Sequence, residues 1–349
     1  MWVLGLLPYL ALALFFVSVR AQDGRQRFLY ASVLWCFLVL CLTEALSLAD
    51  AITPAHVRVA WAVICAGALL AAWRRGSWPG WPRLPVLGWV VAGLVLIPLG
   101  VGLFYPPLTW DALTYHLPRV EHWLQNGNVA YYPTPNPRQN LYAPFAEYVI
   151  LQGRALAGDD LFANSVQWLA YAGSCLNASL IARLLGAGRG AQAFAALLCA
   201  SIPMAILQAS TCQTDMFAAW QISSMAALGL LWYRQQSAAS GVLFGLALGL
   251  ACLTKGTAYP IALPFVLVYA AYVLRHPRQR LGIAVCAALL ALLCNIPFFA
   301  RNTVEYGNPL ASTQPLVKMT RLSPSVRNAL GNIVCNIAIN VEISKHYKG

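Results

Sequence analysis

Charge is what this sequence has least of. Its 349 residues include 23 Lys and Arg and only 11 Asp and Glu, so 10% are charged, where a soluble domain carries about 25%. That scarcity excludes an ordinary water-facing surface over most of the chain. Metal-site spacing is missing too. Eight of the ten cysteines (Cys36, Cys41, Cys65, Cys175, Cys199, Cys252, Cys286 and Cys294) fall inside apolar runs and match no zinc pattern, which makes them small packing residues. A nucleotide-phosphate loop is missing as well. Gly186, Gly188 and Gly190 follow a helical run rather than a strand, without the GxGxxG spacing, and make a tight turn instead. The first apolar run lacks the basic leader of a signal peptide: its arginines follow it. Asn177-Ala178-Ser179 fits a glycosylation pattern but lies within an apolar run.

What is present is hydrophobic sequence, 60% of the chain. Runs near the length that crosses a bilayer, about 17–25 residues, cover 2–19, 28–49, 57–73, 85–104, 162–182, 191–209, 214–233, 241–253, 257–274 and 281–299, that at 241–253 being short. The expected fold is all-α, a polytopic transmembrane bundle of about ten spans with interfacial helices in the outer loops. The net charge of +12 could suggest nucleic acid, but its placement argues otherwise. Arg20, Arg25 and Arg27, then Arg74, Arg75 and Arg83, then Arg183 with Arg189, then Arg234, then Arg275, Arg278 and Arg280 fall in alternate loops. The positive-inside rule accounts for them with those loops cytoplasmic and no polyanion partner. The other loops hold Asp50, Asp111, Glu121, Asp159, Asp160 and Asp215. This alternation requires an outer N-terminus and a non-spanning 141–157, where Glu147 and Arg154 suit a helix lying at the interface or against the bundle.

The outer loops concentrate the chemistry. Trp110-Asp111-Ala112-Leu113-Thr114-Tyr115-His116-Leu117-Pro118-Arg119 follows the apolar run 85–104 and places a carboxylate, an imidazole and a guanidinium beside a membrane exit. Ionisable groups cost roughly 2.5–3.5 kcal/mol each if they enter the membrane core, so crowding them beside it points to function. Leu113, Leu117, Val120 and Leu124 recur at helical spacing, with Pro118 able to start or kink the helix. Asp111 can act as a base or cap that helix. His116, Glu121 and His122 can equally form a solvated face. His116 and His122 are six residues apart with a proline between, a poor metal spacing. Gln213-Thr214-Asp215 opens a later span, where Asp215 can cap. Lys255-Gly256 ends another, where capping and snorkelling compete with a functional role. Arg301-Asn302 follows the last span. Together these groups put two carboxylates and two strong cations on one membrane face, as transfer from a phosphate leaving group requires: a base for the acceptor and cations for the departing phosphate.

The ordered set resembles the GT-C glycosyltransferases, in particular the branch with protein O-mannosyltransferases and the lipid A aminoarabinose transferase. Asp111 with Tyr115 resembles that family's acidic residue after a transmembrane helix. Gly158-Asp159-Asp160 through Ala163-Asn164 resembles its approach to the next helix. Ser210-Thr211-Cys212-Gln213-Thr214-Asp215-Met216 resembles its later "TD", Gly245 through Gly256 its "GLALGLAxLTKG", and Arg301-Asn302 with Tyr306-Gly307-Asn308-Pro309 its "RN…YGNP". The resemblance covers about 85–310.

It implies an inverting transferase that moves a sugar from a polyprenyl-phosphate donor to a lipid, glycan or protein acceptor on the outer face of a bacterial inner membrane, with membrane lipids around it. Asp111 would be the catalytic base. Lys255 and Arg301 would hold the donor phosphate, assisted by Arg119 or Arg138, since Arg suits bidentate phosphate contact and Lys supplies a point charge. Tyr115, His116, Glu147, Gln213 and Asp215 would contact substrate. No metal and no cofactor is expected, because the cations are already supplied. The chain departs from the family in having three spans ahead of the Asp111 loop and in stopping at Gly349 where relatives continue. The expected organisation is therefore a three-span extension at 1–84, a GT-C-like module at 85–310 with an outer loop at 105–140, and an amphipathic tail at 311–349. The tail steps Asn328, Asn332, Asn336 and Asn340 opposite Leu330, Ile333, Ile337 and Val341. A truncated member that needs a further polypeptide for activity is expected on this reading. The competing class is a secondary transporter or a lipid-binding membrane protein without catalysis. Against it stand the lack of an internal repeat and charges at segment ends rather than at the midplane.

Overall fold

A computed structural model describes residues 2–21, 23–75, 84–311 and 325–340. Among the described residues every regular element is helical. A 3-10 turn at Trp2–Leu6 leads into α1 (Leu7–Ser18). There follow α2 (Gly24–Leu48), α3 (Pro54–Arg75), α4 (Val86–Phe104), a π-helical turn (Ala112–His116), α5 (Leu117–Asn126), α6 (Arg138–Leu141), α7 (Phe145–Ala157), α8 (Ser165–Leu184), α9 (Arg189–Ala200), α10 (Pro203–Ala209), α11 (Asp215–Gln235), α12 (Ala238–Thr254), α13 (Ala258–Arg275), α14 (Pro277–Tyr306) and α15 (Val326–Asn340). Arg83 and the tail positions 312–324 and 341–349 lie outside the described residues.

By length and composition α2, α3, α4, α13 and α14 can each cross a membrane, and α9 with α10, bent by 68° at their break, can make a sixth span. The expectation of about ten spans is therefore met only in part. The 17-residue α12 and the segment Trp2–Ser18 are apolar but short. Helices α8 and α11 have 20 and 21 residues but carry polar side chains that lower their hydropathy. Those side chains face protein rather than lipid. Asn177 of α8 donates to Ser223 at 3.0 Å and Ser224 at 2.9 Å on α11, and Gln167 accepts from the Phe217 amide at 2.9 Å. Interhelical hydrogen bonds of this kind join helices where lipid supplies no hydrophobic drive. Gly173 of α8 lets the Trp220 indole of α11 lie directly against it.

Small residues do the same between α12 and α14. Gly241, Gly245 and Gly249 recur every fourth residue and face Ile283, Ala287 and Ala291. A Cβ added to Gly249 would lie 2.7 Å from the Ala291 carbonyl oxygen, and one added to Gly245 would overlap Ala287. The two backbones therefore touch, a small-xxx-small contact.

The N-terminal helices are not a separate layer. Leu29, Val33, Trp35 and Val39 of α2 and Trp61 of α3 share one core with Tyr148 of α7, Tyr171 of α8, Phe217 of α11 and Leu250 of α12. Helix α7 is too short to span and is buried along nearly its whole length. It lies against the bundle, as Glu147 and Arg154 suggested. Helix α15 keeps Leu330, Ile333 and Ile337 exposed.

The bundle has two chemically different ends. At one, Asp23 caps α2, accepting from the amides of Arg25 (2.8 Å) and Gln26 (3.1 Å), and pairs with the side chains of Arg25 and Arg183. Arg234 and Arg275 lie in the last turns of their helices, as Arg183 does, and Arg280 lies in the first turn of α14. At the other end lie the carboxylates of Glu44, Asp111, Glu147 and Asp215.

Candidate functional site

Pro118 organises the site. It has no N–H, so the Thr114 carbonyl four residues back has no helical donor, and the proline ring crowds it. The chain widens into the π-helical turn Ala112–His116, a feature often found at functional sites. The Thr114 carbonyl is satisfied from outside the helix instead. Asn136 donates to it at 3.1 Å and Gln139 at 2.9 Å. These two amides flank Arg138 and bring it over the Tyr115 ring, 5.8 Å from its centre. The Pro-rich stretch 133–137 is thereby pinned to the Asp111 helix.

Asp111 does not cap this helix: its backbone is already helical and its side chain caps no amide. Its carboxylate lies near the Tyr115 hydroxyl, one turn on. Burial, with help from the Asp111 carboxylate, pushes the Tyr115 hydroxyl well above its ordinary pKa, so it stays a donor. The Tyr115 ring packs on His116 at 4.3 Å and edge-on to Tyr142 at 5.4 Å.

Behind this wall lies a fully buried cluster. Glu147 Oε1 is 2.8 Å from His116 Nδ1 and 3.1 Å from an Arg119 Nη1. Burial pushes the Glu147 carboxyl up, but Arg119 and the hydrogen-bonding His116 outweigh it and hold the group below its ordinary value. With the carboxylate ionised, His116 Nδ1–H is the donor. Arg119 also donates to the Tyr142 carbonyl at 2.5 Å and lies 4.9 Å from the Trp123 ring centre. Glu147 Oε2 and Arg119 Nε have no hydrogen-bond partner among the described residues.

The next residue of α7 enters a second cluster. Tyr148 donates to Glu44 Oε1 at 2.7 Å, and Arg301 grips the same carboxylate with two bonds of 2.8 Å while also donating to the Tyr148 hydroxyl at 2.7 Å. Asn302 beside it accepts from Tyr131 and donates to the Pro309 carbonyl at 2.8 Å. A third pair joins Lys255, after α12, to Asp215, at the start of α11. Arg154 bridges Glu121 (2.5 Å) and Asp160 (3.2 Å) at the rim.

Of the residues singled out from the sequence, Asp111, Tyr115, His116, Arg119, Arg138 and Glu147 form one continuous set of contacts. Arg301 joins it through α7. Lys255 and Asp215 form a pair of their own, and Gln213 stands half-buried just before Asp215 without a hydrogen bond among the described residues. Lys255 and Arg301 are thus not free cations: each holds a carboxylate. Arg138 has no carboxylate within 4.0 Å among the described residues. Two participants escaped the sequence reading. Glu44 lay inside an apolar run, where a lone carboxylate is itself a signal, and Tyr148 has nothing in sequence to separate it from a core tyrosine. Among the described residues no three His, Cys, Asp or Glu side chains group closely enough to hold a metal.

Compared with protein families, with curated proteins and with solved structures, the chain matches none.

Proposed function

We propose that this chain is a membrane glycosyltransferase of GT-C type, moving a sugar with inversion from a polyprenyl-phosphate donor to an acceptor hydroxyl. The observation that carries the reading is the half-buried Asp111 carboxylate, not used as a cap, beside Tyr115, whose ring in turn lies under the carboxylate-free Arg138. In this mechanism Asp111 takes the acceptor proton as the acceptor oxygen bonds to the anomeric carbon. The bond from that carbon to the phosphate oxygen breaks, and its electron pair leaves with the polyprenyl phosphate. Tyr115, held protonated, orients Asp111. Arg138 and Lys255 are the cations with spare donors for the leaving phosphate. Charge-assisted contacts of that kind count most where charge develops in a partly dry groove. Arg119 and Arg301 act one step back, Arg119 fixing Glu147, and Arg301 fixing Glu44 and Tyr148. Gln213, with Asp215, is assigned to substrate contact.

The same reading takes α1, α8, α11 and α12 as spans beside those already long and apolar enough, which brings the bundle to about ten. It sets the carboxylate-bearing end outside a bacterial inner membrane, because the arginine-rich end fits the cytoplasmic side.

The test is sugar transfer from a radiolabelled polyprenyl-phosphate sugar to crude acceptor lipid by the purified chain in detergent. Asp111→Asn keeps the side chain's size and removes the base, which typically contributes 10²–10⁴-fold. Transfer should fall by about that factor while the thermal midpoint holds. Near-normal transfer by Asp111→Asn would end the assignment of the base.

A further inference from the structure

The arginine-rich end carries a constellation that sugar transfer does not use. Arg234 at the end of α11, Arg275 at the end of α13 and Arg280 in the first turn of α14 line one open cleft of about 370 Å³, with His276 beside them. Arg280 is fixed. Its guanidinium lies 3.7 Å from the Tyr272 ring centre and donates to the Tyr272 carbonyl at 2.9 Å and to Gln236 Oε1 at 3.3 Å. Among the described residues none of the three arginines has a carboxylate within 4.0 Å. At the same end of the bundle, Asp23 alone neutralises both Arg25 and Arg183. Loop arginines meant only to orient a chain need not converge from three helices on one cleft. Like charges gathered without a counter-charge repel one another, and a bound anion removes that repulsion.

The surroundings identify the kind of anion. Trp232 packs on Tyr269 at 4.3 Å and edge-on to Tyr272 at 5.0 Å, and Tyr233 lies 5.1 Å from Tyr272. Tyr and Trp concentrate at headgroup depth, where one end of the ring is apolar and the other wet. Leu274, next to Arg275, is exposed. Basic pockets between transmembrane helices at that depth suit lipid phosphates.

We propose that this cleft binds the phosphate of an anionic membrane phospholipid. Arg280 is the fixed ligand, and Arg234 and Arg275 close on the phosphate from the neighbouring helices. The site is independent of the Asp111 cluster and does not require that cluster to be catalytic.

The test compares the full chain in nanodiscs of phosphatidylcholine alone with nanodiscs containing one part in five phosphatidylglycerol, and in detergent with inorganic phosphate. Thermal midpoint and lipid retention in native mass spectrometry are read together. Phosphatidylglycerol should raise the midpoint and remain bound. Arg234→Gln with Arg275→Gln, both at solvent-exposed positions, should lower its retention about tenfold or more, from roughly 1 kcal/mol per basic residue near an anionic surface. Arg234→Lys with Arg275→Lys should restore most of that loss. Equal retention of both lipids, or full retention by the Gln pair, would overturn the site. Inorganic phosphate giving the same protection as phosphatidylglycerol would overturn the lipid assignment.

Discussion

Glu147 and Tyr148 are consecutive residues of α7, yet each belongs to a different ion cluster. Glu147 holds His116 and Arg119 of the π-turn and α5, while Tyr148 reaches Glu44 of α2 and Arg301 of α14. One buried turn of a non-spanning helix thus ties the Asp111 segment to the two ends of the chain's transmembrane core. In a strand such neighbours would face opposite ways. On a helix they diverge by about 100°, and α7 is surrounded closely enough for both directions to meet protein.

The Glu147 cluster makes stability acid-sensitive in a defined window. Its carboxyl titrates below the ordinary 4.5 in the folded chain, so near that value the unfolded chain binds more protons than the folded one. The stabilisation is present above pH 4.5 and is lost as pH falls below it toward the folded pKa. Glu147→Gln should flatten the fall in thermal midpoint as pH drops below 4.5. Arg119→Met strands the buried carboxylate and should cost roughly 3–5 kcal/mol near neutral pH. An unchanged pH profile in Glu147→Gln would show that other carboxylates carry the acid response.

Glu44 and Arg301 should behave as one unit. Either Glu44→Gln or Arg301→Met leaves a partly buried charge without its bidentate partner, and each should lower stability by roughly 2–3 kcal/mol. The double variant should cost less than the two single losses added together, because no charge is then stranded. Simple additivity of the midpoint shifts would mean the pair contributes no coupling.

The helical architecture was legible from composition, because a chain this poor in charge can bury its backbone only in helices or a closed barrel. The number of lipid-crossing segments was less so. A hydropathy window sees the polar side chains of α8 and α11 but not Asn177 meeting Ser223 and Ser224 inside the bundle. Asp111, Tyr115, His116, Arg119 and Arg138 could be nominated together since they share one loop. What sequence could not show was pairing. That Lys255 and Arg301 each hold a carboxylate depends on Asp215 and Glu44 arriving from 40 and 257 residues away.

Gly245 is where the α12–α14 contact tolerates least. A side chain there meets the Ala287 backbone rather than a movable group. Gly245→Leu must therefore push the two helices apart, and overpacking of this kind typically costs about 1–3 kcal/mol or more. Gly256→Ala, after α12 where no atom lies within 4 Å, is the control and should be nearly neutral. Equal midpoints for the two variants would remove the close-packing argument.

Pro118 offers the most direct test of how the site is built. Pro118→Ala restores an N–H four residues after Thr114, so the Thr114 carbonyl gains an ordinary helical donor and no longer depends on Asn136 and Gln139. Helix stability should rise locally, since proline costs roughly 3 kcal/mol in a helix interior. The loop at 131–140 should lose its attachment, and with it the position of Arg138 over Tyr115. Limited proteolysis should then cut between Tyr131 and Asn140 several-fold faster while the overall midpoint holds or rises. If Arg138 is a phosphate ligand, transfer should weaken chiefly through a higher KM for the donor. A loop protected as in the parent chain, with unchanged KM, would show that Asn136 and Gln139 do not depend on the proline for their hold.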